Sequence, residues 1–118
     1  MSKQITVIIK KPGEDAYVDK IESSLASMQA VVGGMIELLG GQVVGLSPII
    51  DIWFNEEGKL MQLEPNLGLV CRGRLFDVLV GTAFFTTHDE DGGTTSLPPE
   101  FHKEVFKFCD RHALCGER

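Results

Sequence analysis

The run from Leu75 to Thr87 (L-F-D-V-L-V-G-T-A-F-F-T-T) constrains the fold more than any other segment. Its β-branched and aromatic side chains favour strands, and Gly81 inside it marks a bulge or bend. A chain carrying such a run must build a sheet around it. Gln4–Lys10 (Q-I-T-V-I-I-K), stopped by Pro12-Gly13, and Pro48–Phe54 (P-I-I-D-I-W-F), with Asp51 its only charge, are two further strand blocks. Met35–Leu39, closed by Gly40-Gly41, reads as a short strand. Asn55-Glu56-Glu57-Gly58 offers a four-residue turn with a returning strand over Lys59–Leu63, ended by Pro65-Asn66. Residues 67–74, with Gly68, Arg72, Gly73 and Arg74, suggest a loop.

Two segments carry a helical period instead. Val18, Ile21, Leu25, Met28 and Val32 recur at three- and four-residue steps, which predicts a helix over about residues 14–32. Glu14 and Asp15 suit its positive end, and Gly33-Gly34 suits a left-handed cap. Ser96-Leu97-Pro98-Pro99-Glu100 reads as the start of a second helix, about 97–113, with Phe101, Val105, Phe108 and His112 on one face. The order predicts one α+β domain over residues 1–118. In it a mainly antiparallel sheet is a shared layer for both helices, with Ile21, Leu25, Phe101 and Phe108 turned inward.

At 118 residues the chain suits one core rather than two. Its 17 acids against 11 bases give a net charge of −6, with no basic stripe to neutralise phosphates. That argues against direct nucleic-acid binding, and the acid excess is too thin for a DNA mimic. No apolar run reaches the ~18–20 residues that span a bilayer, so no membrane partner is expected. The start, Met1-Ser2-Lys3-Gln4-Ile5, has no signal-peptide pattern. Three cysteines make no disulfide framework, so reduced thiols in a cytoplasmic setting are the expectation.

Little in the chain announces chemistry. No nucleophile elbow, zincin helix, phosphate loop or dinucleotide fingerprint is present, so no cofactor is expected and nothing supports an enzyme. Cys109-x-x-His112-x-x-Cys115, with Cys71 as a fourth ligand, would suit tetrahedral zinc. The spacing fits none of the usual zinc signatures, and free thiols are the simpler reading. His88-Asp89-Glu90-Asp91-Gly92-Gly93 lacks a calcium loop's terminal glutamate and reads as an acidic turn. His102 and His112 fall on one helix about 15 Å apart, too far to share a proton-transfer site. Asn55, Glu56, Glu57 and Lys59 gather polar groups at one turn, which turn geometry alone also explains. Glu37 sits in an apolar strand and is expected to face solvent; buried, it would need Arg72 or Lys59.

Four ordered blocks carry a family resemblance: Val32-Gly33-Gly34-Met35-Ile36-Glu37, Asn55-Glu56-Glu57-Gly58-Lys59-Leu60, Pro65-Asn66, and Asp77-Val78-Leu79-Val80-Gly81-Thr82-Ala83, with Ser96-Leu97 beyond them. Over roughly residues 5–100 the chain resembles a small uncharacterised family, a domain of unknown function carried by bacteriophages, plasmids and related bacterial genomes. The resemblance implies a stand-alone cytosolic protein of mobile elements and transfers no reaction, cofactor or catalytic residue. Where the family pattern often continues Pro-Asn with a base, Leu67 follows here; if that base contacts a ligand in relatives, the contact is absent here or is supplied by Arg72 or Arg74. The setting implies a non-catalytic accessory protein that binds a host protein or complex, as in inhibition of a bacterial defence system. Its contact surface would be Asn55–Lys59, the loop Asn66–Arg74 and a sheet edge, which could also pair with a second copy. The alternative is a small-molecule-binding protein or small enzyme with a pocket formed by Glu37, Asn55, Asn66 and Arg72.

Overall fold

The strand blocks do assemble into a sheet, and its two faces explain their composition. The computed structural model describes residues 3–114. In chain order it holds β1 (Gln4–Lys10), β2 (Tyr17–Glu22), α1 (Leu25–Val32), β3 (Ile36–Gly40), β4 (Ile50–Asn55), β5 (Pro65–Cys71), β6 (Arg74–Val80), β7 (Ala83–His88), β8 (Thr94–Thr95) and α2 (His102–His112). Single 3-10 turns occupy Gly41–Val44 and Pro99–Phe101. The main sheet runs β2-β1-β7-β4-β3 with β8 beside β7, and every pairing is antiparallel. Strands β5 and β6 form a separate hairpin. The fold is α+β, as the element order predicts.

Alternation along the strands sorts side chains to opposite faces. On one face Ile5, Val7 and Ile9 of β1 and Phe84 of β7 pack beneath Met28 and Val32 of α1. On the other, Ile8, Ile50, Ile52 and Phe85 meet Val105, Phe108 and Cys109 of α2 and Leu67, Leu69 and Leu79 of the hairpin. Burial on both faces is why Val7–Ile9 of β1 and Ala83–Phe85 of β7 are unbroken apolar runs. The helices therefore share one sheet but lie on opposite sides of it, with α2 and the hairpin making one layer and α1 the other.

Three expectations need correction. The helix predicted over residues 14–32 exists only as Leu25–Val32. Its first half is β2, whose Tyr17 and Ile21 stand opposite Ile9 and Ile5 of β1. The three- and four-residue spacing was shared by a strand and a short helix, separated by Ser23-Ser24, where the Ser24 hydroxyl accepts from the Ser27 N–H at 3.2 Å. Leu25 consequently faces solvent (61% exposed), Ile21 and Phe101 are half-buried, and Phe108 is buried. The C-terminal boundary stands: Gly33 adopts φ 79° and donates to the Gln29 carbonyl. The second helix begins later than predicted, its first turn being 3-10 over Pro99–Phe101.

Second, Lys59–Leu63 is not a returning strand. Met61 donates to the Glu57 carbonyl and Leu63 to the Gly58 carbonyl, so the chain coils through turns and leaves the sheet's layer. Third, residues 67–74 are not a loop but the heart of the hairpin. Arg72 (φ 53°) and Gly73 (φ 78°) form a two-residue turn with both residues left-handed, the geometry whose twist matches paired strands. An arginine in the first of those places hid the turn from sequence rules that look for asparagine or glycine. Gly81, at φ 77°, ends β6 and sends the chain from the hairpin into β7 of the other layer.

Candidate functional site

Asn66 shows how the local sequence sets its surroundings. Between the pairs Pro65–Val80 and Leu67–Leu79, β5 supplies one residue more than β6, and that residue is Asn66. A bulge re-aims its side chain, here inward, where Asn66 is fully buried. Its Nδ2 donates to the carbonyls of Lys10 and Gly81, each at 2.8 Å, and its Oδ1 accepts from Lys10 Nζ at 3.0 Å. Lys10 itself is only 3% exposed, and Nζ also donates to the Lys11 carbonyl. Burial lowers the Lys10 pKa, while nearby Cys109, Asp15, Glu14 and Asp110 act in the opposite sense. All the side-chain hydrogen-bonding capacity of Asn66 seen here goes into joining β1, β5 and the Gly81 bend.

Asn55 is spent in the same way. At the end of β4 its Nδ2 donates to the Val32 carbonyl at 3.1 Å and its Oδ1 accepts from the Glu57 N–H at 2.8 Å. A Cβ on Gly34 would stand 2.9 Å from that Nδ2, so the glycine lets the end of α1 approach the amide. Neither asparagine is free to meet a ligand as a recognition group.

A cleft of about 190 Å³ lies beside this turn, lined by Glu37, Asn55, Glu56, Lys59, Leu60 and Asp77 among others. Glu37 is exposed on the edge strand β3, as expected. Lys59 pairs with Asp77 across the cleft rather than with Glu37. The Lys59 hydrogen bond, aided by the Val78 N–H, holds the Asp77 carboxyl below its ordinary pKa. Glu57 is exposed beside the cleft, whereas Asn66 lies buried beneath the bend and Arg72 stands at the hairpin tip. Of the four residues expected to form a pocket, Glu37 and Asn55 meet and Asn66 and Arg72 do not join them.

The zinc set does not gather among the described residues. No group of three potential ligands stands together there, and Cys115 lies outside them. Cys71 is exposed, whereas burial of Cys109 in the α2 layer pushes its thiol up to about 12. Such a thiol stays protonated near neutrality and is a poor ligand or nucleophile.

Two features escaped the sequence reading. Asp51, nearly buried on β4, accepts from His88 Nδ1 on β7 at 2.9 Å, which fixes the ring's orientation. The signal was a lone charge in an apolar strand block, without a means of finding its partner. The second feature is on β6. Between the pairs Leu69–Asp77 and Val70–Leu75 the extra residue is Phe76, and this second bulge leaves adjacent Leu75 and Phe76 both outside, 62% and 48% exposed. Leu60, at 85%, is exposed on the wall of the cleft. β5 is covered by the Leu67–Ala113 bridge and the Leu114 N–H donated to Asn66, while β6 has no second strand partner among the described residues.

His112 ties α2 to this layer. Its ring packs tilted against Phe108, with centroids 4.4 Å apart, and burial, reinforced by Arg111, lowers its pKa against an opposing hydrogen bond to the Gly68 backbone. Below about pH 6.5 the unfolded chain therefore takes up the proton more readily than the folded one. Stability conferred at pH 7.5 is lost as the pH falls toward 5.5, by at most about 1.4 kcal/mol per pH unit for one proton. Urea unfolding across that range should show a steeper loss for the natural chain than for His112→Gln; equal slopes would contradict it.

A family model described as a domain of unknown function (DUF3846) matches residues 5–110. No curated protein and no solved structure matches the chain.

Proposed function

The chain belongs to the DUF3846 family, and from that premise we propose that it is a non-catalytic accessory protein of phage or plasmid origin that acts by binding a host protein. The surface is the outer side of the β5–β6 hairpin. One observation carries the reading: a bulge exposes Leu75 and Phe76 together beside Arg72 and Arg74, on a strand whose outer edge is unpaired among the described residues. Buried aromatic anchors flanked by arginine dominate protein interfaces, and side chains of this size gain little by standing in water. The turn supports the same reading. A left-handed position costs an ordinary residue roughly 1–2 kcal/mol, and Arg72 occupies one that glycine would fill without that cost. The fitting partner is an apolar hollow rimmed by carboxylates. The mobile-element origin, and inhibition of a defence complex as the outcome of binding, rest on the resemblance of the sequence blocks.

Photocrosslinking in the native host tests the surface. With benzoylphenylalanine in place of Phe76, a discrete host-protein adduct is expected, and none with the same group in place of exposed Glu90 on the β7–β8 turn. Adducts at position 90 and not at 76 would contradict the assignment.

A further inference from the structure

On the hairpin-bearing side of the sheet, between the 3-10 turn Gly41–Val44 and α2, lies a second cavity of about 220 Å³. Its apolar wall is Val44, Leu46 and Phe108, and its polar side chains come from α2: Glu104, Lys107, Arg111 and His112. The one carboxylate is already used. Glu104 accepts from the Ser47 N–H at 2.7 Å and from the Ser47 hydroxyl at 2.8 Å. Lys107 and Arg111, one helical turn apart, have no carboxylate within ion-pair distance among the described residues, where the ion pairs are Lys59–Asp77 and Asp51–His88.

Like charges at this spacing repel, and the chain carries a net charge of −6 with acids to spare for pairing. The helix dipole accounts for cations in the last turn, Arg111 and His112, but not for Lys107 a turn earlier. We infer that the cavity is a binding site for a small oxyanion on an apolar body, a phosphate ester or a carboxylate. Lys107 supplies a point charge and Arg111 a planar fork of donors at the mouth, while the wall takes the apolar part. The volume suits a ligand smaller than the usual drug-sized occupant. This site is separate from the hairpin surface and stands whether or not that surface binds a protein.

The test follows the His112 ring by NMR during titration with phenyl phosphate and, in a second arm, benzoate. An oxyanion in the cavity should raise the His112 pKa, saturably, with the stronger arm naming the ligand class. Lys107→Ala and Arg111→Ala should each weaken binding at least fivefold. Lys103→Ala, on the same helix but not lining the cavity, should leave it unchanged. Circular dichroism of each variant confirms that α2 is intact. No saturable shift in either arm, or an equal loss in Lys103→Ala, would overturn the site.

Discussion

Replacing Asn66 with alanine should cost this fold about 3–5 kcal/mol, the order expected when three buried polar groups each lose a hydrogen-bond partner. Three hydrogen bonds disappear at once, and the loss falls on groups that water cannot reach. The carbonyls of Lys10 and Gly81 lose their amide donor, and Lys10 Nζ loses one of its two acceptors while staying enclosed. Each unsatisfied buried group carries a penalty of ~1–3 kcal/mol, which exceeds the ~1 kcal/mol net worth of a typical hydrogen bond. Asn66→Asp separates the causes. It keeps an acceptor for Lys10 but removes both Nδ2 donations, so it should remain well below the natural chain. Urea unfolding near pH 7 measures both variants. A loss under ~1 kcal/mol for Asn66→Ala would show that the bulge is not the join between β1, β5 and the Gly81 bend.

How legible this was in the sequence depends on the range of each interaction. The strands β1, β3, β4 and β7 announce themselves because burial on a face selects β-branched and aromatic residues locally. Gly33 and the C-terminal end of α1 are local too, since a left-handed cap requires the residue standing there. The boundary between β2 and α1 failed because apolar positions at 18, 21, 25, 28 and 32 satisfy a helix while the outer edge of β1 requires a strand. Only the pairing with β1 decides between them. The hairpin failed for a different reason: its turn holds arginine where asparagine is usual, and its strands carry two bulges that break alternation.

For the candidate site, residue type was legible and role was not. Asn55 and Asn66 attract notice as polar groups at turns, but their partners lie at Val32, Glu57, Lys10 and Gly81, and those distances exist only after folding. Asp51 and His88 are 37 positions apart and meet through the β4–β7 pairing. Leu75 and Phe76 read as strand residues within a β-rich run. A single extra residue in the ladder turns both outward, and no local pattern reports it.

Phe76→Glu should abolish capture of the host partner, with at least a tenfold loss, while the fold barely changes. An interface anchor of this kind contributes ~2 kcal/mol or more, which is already over tenfold, and burying a carboxylate in its place adds a desolvation cost. Against stability the change is mild, because Phe76 is half exposed and belongs to neither core cluster. Surface changes of this sort stay within about ±0.5 kcal/mol. Affinity capture from the native host, run beside thermal melting of the same two preparations, puts the hairpin to the most direct test. The predicted result is an unchanged melting temperature with the captured protein gone; full capture by Phe76→Glu at unchanged stability would contradict the hairpin as the recognition surface.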